Sequence, residues 1–255
     1  MSNTEMLTRK EFDGKARSAA EAKRQLVLAN RILSMEGVVD AYGHVSVRNP
    51  ENPGSFFISR AIAPADVCGD DIMECSARDG AVLQSNAGHR PYGERIIHAS
   101  VYAIRSDINA IVHAHPIPLI PFTACDIPFR IVFHSCSMFY DGIPVYDISE
   151  DAGLHISTID EAGRMALCMG DKHGLFIRNH GVVVGFGMVQ QVVMASVYLS
   201  QAAEILQKTL AMGGNPRSVS YREAKKSTEF LFGEVALARC WEHWVRRVNE
   251  SYPDF

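Results

Sequence analysis

Residues 108–116, INAIVHAHP, form an apolar run of strand length that is cut off by prolines at 116, 118 and 121. Its Ile, Val and Ala content and its abrupt end read as a buried strand leading into a loop. Alternate side chains of a strand share a face. Ile111, His113 and His115 therefore point to one side, and Val112 and Ala114 to the other. Two imidazoles on one rigid strand are a chelating pair for a divalent metal, or else two hydrogen-bonded core residues. A third ligand from elsewhere in the chain decides between these.

Periodic segments flank this strand. Ala22, Leu26, Ala29, Ile32 and Leu33 recur at helical spacing, with Gly37 as a stop. GHVSVRN alternates like a strand, and the stretch from Ser55 to Gln84 reads as strand, turn, strand, with Asp79-Gly80 as a tight turn. RPYGERIIHASVYAIRSD reads as a helix that Pro91 begins. LIPFTACDIPFRIVF is short helical or irregular, and GIPVYDI is a short strand. Thr158 and Glu161 suit a capping box before an amphipathic helix. GLFIRNHGVVVGFG reads as two strands around an Asn-His-Gly turn. A long helix follows and stops at Gly213-Gly214, and a last helix over 221–248 carries both tryptophans. The steps between several strands are short. That favours a mostly antiparallel sheet covered by helices over a doubly wound parallel one.

A chain of 255 residues suffices for one sizeable domain, taken as 1–255. Its net charge of −4 comes with no basic block, which argues against nucleic acid or an anionic membrane surface as partner. The polar N-terminal stretch has no apolar core of a secretory signal, and no run reaches the length of a membrane span. Six scattered cysteines, none in a C-x-x-C pair, read as free thiols in a reducing cytoplasm.

His180 in RNHGVVVGFG is the candidate third imidazole, because the glycine after it lets backbone pass close to a ligand. Glu94, near the start of a helix, is the candidate carboxylate, either as a fourth ligand or as an acid/base beside the metal charge. Taken singly, His180 is also an ordinary turn histidine and Glu94 an ordinary acidic residue at a helix N-terminus. Three imidazoles with an open position make the layout of a catalytic metal.

The order GHVSVR, IAPADV, Glu94-x-x-x-His98-x-x-x-Tyr102, INAIVHAHP, RNHGVVVGFG resembles the class II aldolase/adducin family over about residues 20–210. The resemblance implies an α/β fold with α/β/α layers on a mostly antiparallel central sheet. It also implies a homotetramer with metal sites close to subunit interfaces. On the matching motifs His113, His115 and His180 fall on the metal ligands and Glu94 on the catalytic acid/base. His98, one turn behind Glu94, reads as packing.

Departures from the sugar-phosphate aldolases of that family set the functional expectation. His44 stands where they have Asn, Ser59-Arg60 where they have Thr-Gly, and Tyr92-Gly93 where they have Ser-Ser. Small hydroxyls that hold a phosphate are thereby replaced by His44, Arg60 and Tyr92, groups suited to a planar carboxylate. The branch that fits contains metal-dependent decarboxylases of hydroxy-aromatic dicarboxylates. Its substrates include 3-hydroxy-2-methylpyridine-4,5-dicarboxylate, from vitamin B6 degradation, and dihydroxyphthalate. The resemblance thus implies a carboxy-lyase with a small-molecule substrate, Mn²⁺ or alternatively Zn²⁺, and no organic cofactor. The alternatives are an aldolase or epimerase on a non-phosphorylated substrate and a metal-free, adducin-like interaction module. Tyr198 and Glu204 on the long helix are weaker site candidates.

Overall fold

The computed structural model describes residues 14–150 and 153–252, so the first part of the polar N-terminal stretch lies outside the described residues. Helix α1 (Ala19–Met35) starts where the Ser18 hydroxyl accepts the Glu21 N–H at 3.2 Å. Its Ala22, Leu26, Ala29, Ile32 and Leu33 are fully buried, as their spacing predicts. Each such Leu or Ile contributes roughly 1.5–3 kcal/mol relative to leaving it exposed.

Among the described residues eight strands follow: β1 (His44–Arg48), β2 (Ser55–Ser59), β3 (Ile72–Ser76), β4 (Val82–Gln84), β5 (Ala110–Ala114), β6 (Val145–Tyr146), β7 (Gly174–Ile177) and β8 (Gly181–Phe186). They make one sheet in the order β4-β3-β2-β1-β5-β8-β7-β6. Every pairing is antiparallel except β6 with β7. The strand containing His113 thus lies mid-sheet, between β1 and β8.

Period-2 alternation sorts the side chains into two cores. Val45, Val47, Ala110, Val112, Ala114 and Val184 pack with α1, α5 (Val189–Ala211) and α7 (Glu234–Ser251). Phe56, Ile58, Ile111, Leu175 and Val183 pack on the other face with α2 (Arg95–Ile104) and α4 (Ile159–Met169). Helices on both faces of a mostly antiparallel sheet give the α/β/α layers expected. Short α3 (Ile120–Ala124) and a 3₁₀ segment, 134–139, occupy the proline-rich connection.

Two boundaries differ from the sequence reading. Helix α2 begins at Arg95, because Pro91 forms an isolated β-bridge with Arg60 and Glu94 takes the N-cap position. The single helix expected over 221–248 is two, α6 (Tyr221–Leu231) and α7. Gly233 adopts an extended conformation at the N-cap of α7, which breaks the helical ladder, and both Trp241 and Trp244 lie beyond the break. All six cysteines are unpaired. Among the described residues, no helix is long and apolar enough to cross a membrane.

Candidate metal centre

The sheet register builds the site. His44 of β1 lies directly opposite His113 of β5, and His113 opposite Val183 of β8, so both imidazoles project to the α2 side. His115 follows the last residue of β5. The β7–β8 loop, Arg178 to His180, turns through Asn179 at φ 55°, a left-handed conformation that Asn tolerates, and delivers His180 to the same place. Gly181 then has no room for a side chain. A Cβ there would lie 2.4 Å from the Ala114 carbonyl oxygen and 2.7 Å from His115 Cδ2. Gly181→Ala is therefore expected to force β8 away from β5. The loss should be about 1–3 kcal/mol of stability, with weakened metal uptake. Chemical denaturation together with metal titration checks this, and an unchanged midpoint would contradict it.

Four ligand atoms converge. One atom from each of Glu94, His113, His115 and His180 lies within 4.8 Å of the others. His113 Nε2 is 3.1 Å from His115 Nε2 and 3.2 Å from His180 Nε2. Glu94 Oε2 is 3.6 Å from His113 Nε2, and its Oε1 is 3.6 Å from His180 Nε2. His113 Nδ1–H donates to the Val182 carbonyl at 3.1 Å, and His180 Nδ1–H to the Leu154 carbonyl at 2.5 Å. Carbonyls only accept, so each ring carries a proton on Nδ1 and turns its Nε2 inward. Nε2 lone pairs that face one another at such distances repel unless a proton or a metal cation lies among them. Nitrogens of a tetrahedral zinc site, with bonds of about 2.0–2.1 Å, sit about 3.3 Å apart. The residues fit a divalent metal on both counts.

Burial favours the neutral form of His44, His98, His115 and His180, the form in which an imidazole can bind a metal. It is the first cause that lowers His115 to about 4, His98 to about 3, and His180 and His44 below the ordinary value. Neighbouring histidines reinforce it in each case. Burial alone would raise Glu94, but His113, His180 and the Ile156 N–H hold its carboxyl down at about 2, ionised. In the unfolded chain a histidine titrates near 6.5. Between that pH and the depressed native values the unfolded state binds more protons, so stability falls as pH drops. Thermal unfolding of the metal-free protein should accordingly weaken from about pH 6.5 downward. Glu94 and Glu161, both at about 2, act with the same sign but in a lower window, below the ordinary carboxylate range. A melting temperature that stays flat from about pH 7 to 5 would contradict the histidine contribution.

The residues expected to hold substrate divide. His44 is buried, its ring 4.7 Å from that of Tyr92 and 5.1 Å from that of His113. Burial and the surrounding histidines lower it well below the ordinary value, so it offers a carboxylate an uncharged imidazole. The Tyr92 hydroxyl donates to the Ile62 carbonyl, which leaves its ring, not its hydroxyl, beside His44. Arg60 Nε is engaged by Asp71 Oδ1 at 2.6 Å, and its side chain is one-third exposed. Tyr198 contacts Phe133 and Trp244 on the other side of the sheet, and Glu204 pairs with Lys208, so neither joins the cluster in this chain.

Three participants escaped the sequence reading. His98 is not mere packing: it bonds His44 through Nε2 and Ser46 through Nδ1, both at 2.6 Å. The i, i+4 step from Glu94 on α2, and the i, i+2 step from His44 to Ser46 on β1, are the signals that would have found that chain. His155, exposed, has Nδ1 3.8 Å from Glu94 Oε1 and its ring 5.8 Å from that of His180.

A sequence model described as Class II Aldolase and Adducin N-terminal domain matches residues 24–207. Decarboxylase tropJ of Talaromyces stipitatus is 27% identical over 251 residues, which cover 89% of this chain and 93% of that protein. A 3,4-dihydroxyphthalate decarboxylase of Arthrobacter keyseri is 23% identical over 245 residues, covering 91% and 96%. Among solved structures, L-fuculose 1-phosphate aldolase from Glaciozyma antarctica superposes with a TM-score of 0.76 at 21% identity, covering 92% of this chain and 91% of that one.

Proposed function

Because this chain belongs to the class II aldolase and adducin family, we propose that it is a metal-dependent carboxy-lyase that acts on a hydroxylated aromatic or pyridine dicarboxylate. The convergence of three imidazoles and one carboxylate carries the reading. The decarboxylase relatives support a decarboxylase-type lyase, and the proposed ring is 3-hydroxy-2-methylpyridine-4,5-dicarboxylate. His113, His115 and His180 hold the metal, with Mn²⁺ favoured by the mixed N/O donors and Zn²⁺ as the alternative. A bound divalent ion supplies Lewis-acid stabilisation of charge that develops on a substrate oxygen. No organic cofactor enters the scheme. A homotetrameric cytoplasmic enzyme completes it.

The chain's own residues do the rest. Decarboxylation exchanges a carboxylate for a proton: R–COO⁻ and H⁺ become R–H and CO₂. Glu94 stands beside the imidazoles, ionised and able to take up and pass on that proton or to complete the ligand set. Tyr92 offers a ring face, and Arg60 offers its guanidinium to the second carboxylate in competition with Asp71.

The aldolase or epimerase reading draws on the fold likeness to a fuculose phosphate aldolase. Assaying CO₂ and ring absorbance together, with hydroxy-dicarboxylates and matched compounds lacking the ortho hydroxyl, separates the two. CO₂ release that depends on the hydroxyl is expected. Carbon–carbon cleavage or epimerisation of a non-phosphorylated sugar or hydroxy acid without CO₂ release would establish the aldolase or epimerase reading instead, and equal decarboxylation of the control would show that the hydroxyl oxygen takes no part.

A further inference from the structure

Behind the metal cluster runs a buried line of four polar side chains that the decarboxylation scheme leaves unused. His44 Nδ1 is 2.6 Å from His98 Nε2, His98 Nδ1 is 2.6 Å from Ser46 Oγ, and Ser46 Oγ is 2.8 Å from the Tyr102 hydroxyl. All four residues are buried, and His98 and Ser46 are wholly so. Each neutral imidazole has one N–H and one lone pair, so the two bonds of His98 run the same way, and the single Ser46 hydroxyl hydrogen is bonded only if it goes to His98 or to Tyr102.

The two directions are not equivalent, because the far end differs from the near one. If the hydrogens run outward from His44, each bond is made until Tyr102, whose own proton then has only the Asn109 carbonyl at 3.5 Å. That oxygen already accepts the Arg48 N–H at 2.8 Å. A buried phenol would be left with a long, weak bond. If they run inward, Tyr102 donates to Ser46, Ser46 to His98 Nδ1, and His98 Nε2–H to His44 Nδ1. The same three short bonds are then made, and the one donor left over is His44 Nε2–H, at the end of the line beside the Tyr92 ring and His113 instead of deep behind it. Burial also pushes the Tyr102 phenol up, so it keeps the proton that starts the line.

We infer that His44 is held as the Nε2–H tautomer by the Tyr102–Ser46–His98 line and meets the substrate as an uncharged hydrogen-bond donor. The donor faces an anionic oxygen, a carboxylate or the ring oxygen on which charge develops, beside the Tyr92 ring and His113. That the acceptor is a dicarboxylate rests on the function proposed above; the tautomer does not.

Nitrogen-15 spectra of histidine-labelled, zinc-loaded protein test the tautomer directly, with His44→Gln used to assign the resonances. The expected result is a protonated Nε2 and a bare Nδ1 on His44. A His44 with Nδ1–H, or doubly protonated at neutral pH, would overturn the inference whether or not any dicarboxylate turns over. Tyr102→Phe removes the donor that sets the direction. It should let both His44 tautomers appear and lower kcat/KM by about tenfold. Metal content should stay unchanged. If Tyr102→Phe leaves the His44 spectrum and the kinetics untouched, Tyr102 does not set the tautomer. His44→Gln, whose amide still donates, should keep more activity than His44→Phe; equal losses would deny His44 the donor role while the wild-type spectrum still decides its tautomer.

Discussion

Replacing His113, His115 and His180 together by alanine should leave the protein without tightly bound metal and lower kcat/KM by about 10³-fold or more, because Lewis-acid stabilisation is worth several kcal/mol. His113 is the centre of the set. It touches both other imidazoles and the Glu94 carboxylate, and it is completely buried in the middle strand of the sheet. His113→Ala alone should therefore cost nearly as much as the triple change. His115, one residue past the strand end, should cost less. Metal per chain by elemental mass spectrometry, with circular dichroism to show that the sheet survives, gives the answer. Full metal content in the triple variant would refute the centre.

Glu94→Gln ranks next. The substitution keeps the shape of the side chain but removes its charge and its capacity to accept a proton. A loss in kcat of about 10²-fold or more is expected, with KM little changed. Metal content separates the two roles open to this residue. Metal retained with kcat lost identifies a proton carrier, and metal lost identifies a ligand. Wild-type kcat in this variant would remove Glu94 from the chemistry.

Much of this site could be read along the chain because the information is local. H-x-H within a strand puts His113 on a face by period alone, and Asn-His-Gly marks a turn whose glycine is sterically required, as the clash at Gly181 shows. What stayed hidden depends on neighbours that are remote in sequence. His98 looks like helix packing until the register sets His44 opposite His113 and carries His44 and Ser46 across to α2. Nothing local in the chain shows that His44 is buried among other histidines, which lower it well below the ordinary value. Arg60 looks free for substrate until the fold brings Asp71 to its Nε. The break at Gly233 was concealed because helical periodicity resumes at once on the far side.

The two carbonyls that orient His113 and His180 belong to very different surroundings. Val182 lies in β8, paired on both sides, whereas Leu154 lies in a turn and is more than half exposed. Amide hydrogen exchange should accordingly be slow at Val182 and fast around Leu154, since protection follows burial and ladder bonding. Were a divalent ion held by these imidazoles, the His180 side of the site would rest on a surface turn and the His113 side on the sheet, so changes at the Leu154 turn would alter the off-rate without touching a ligand.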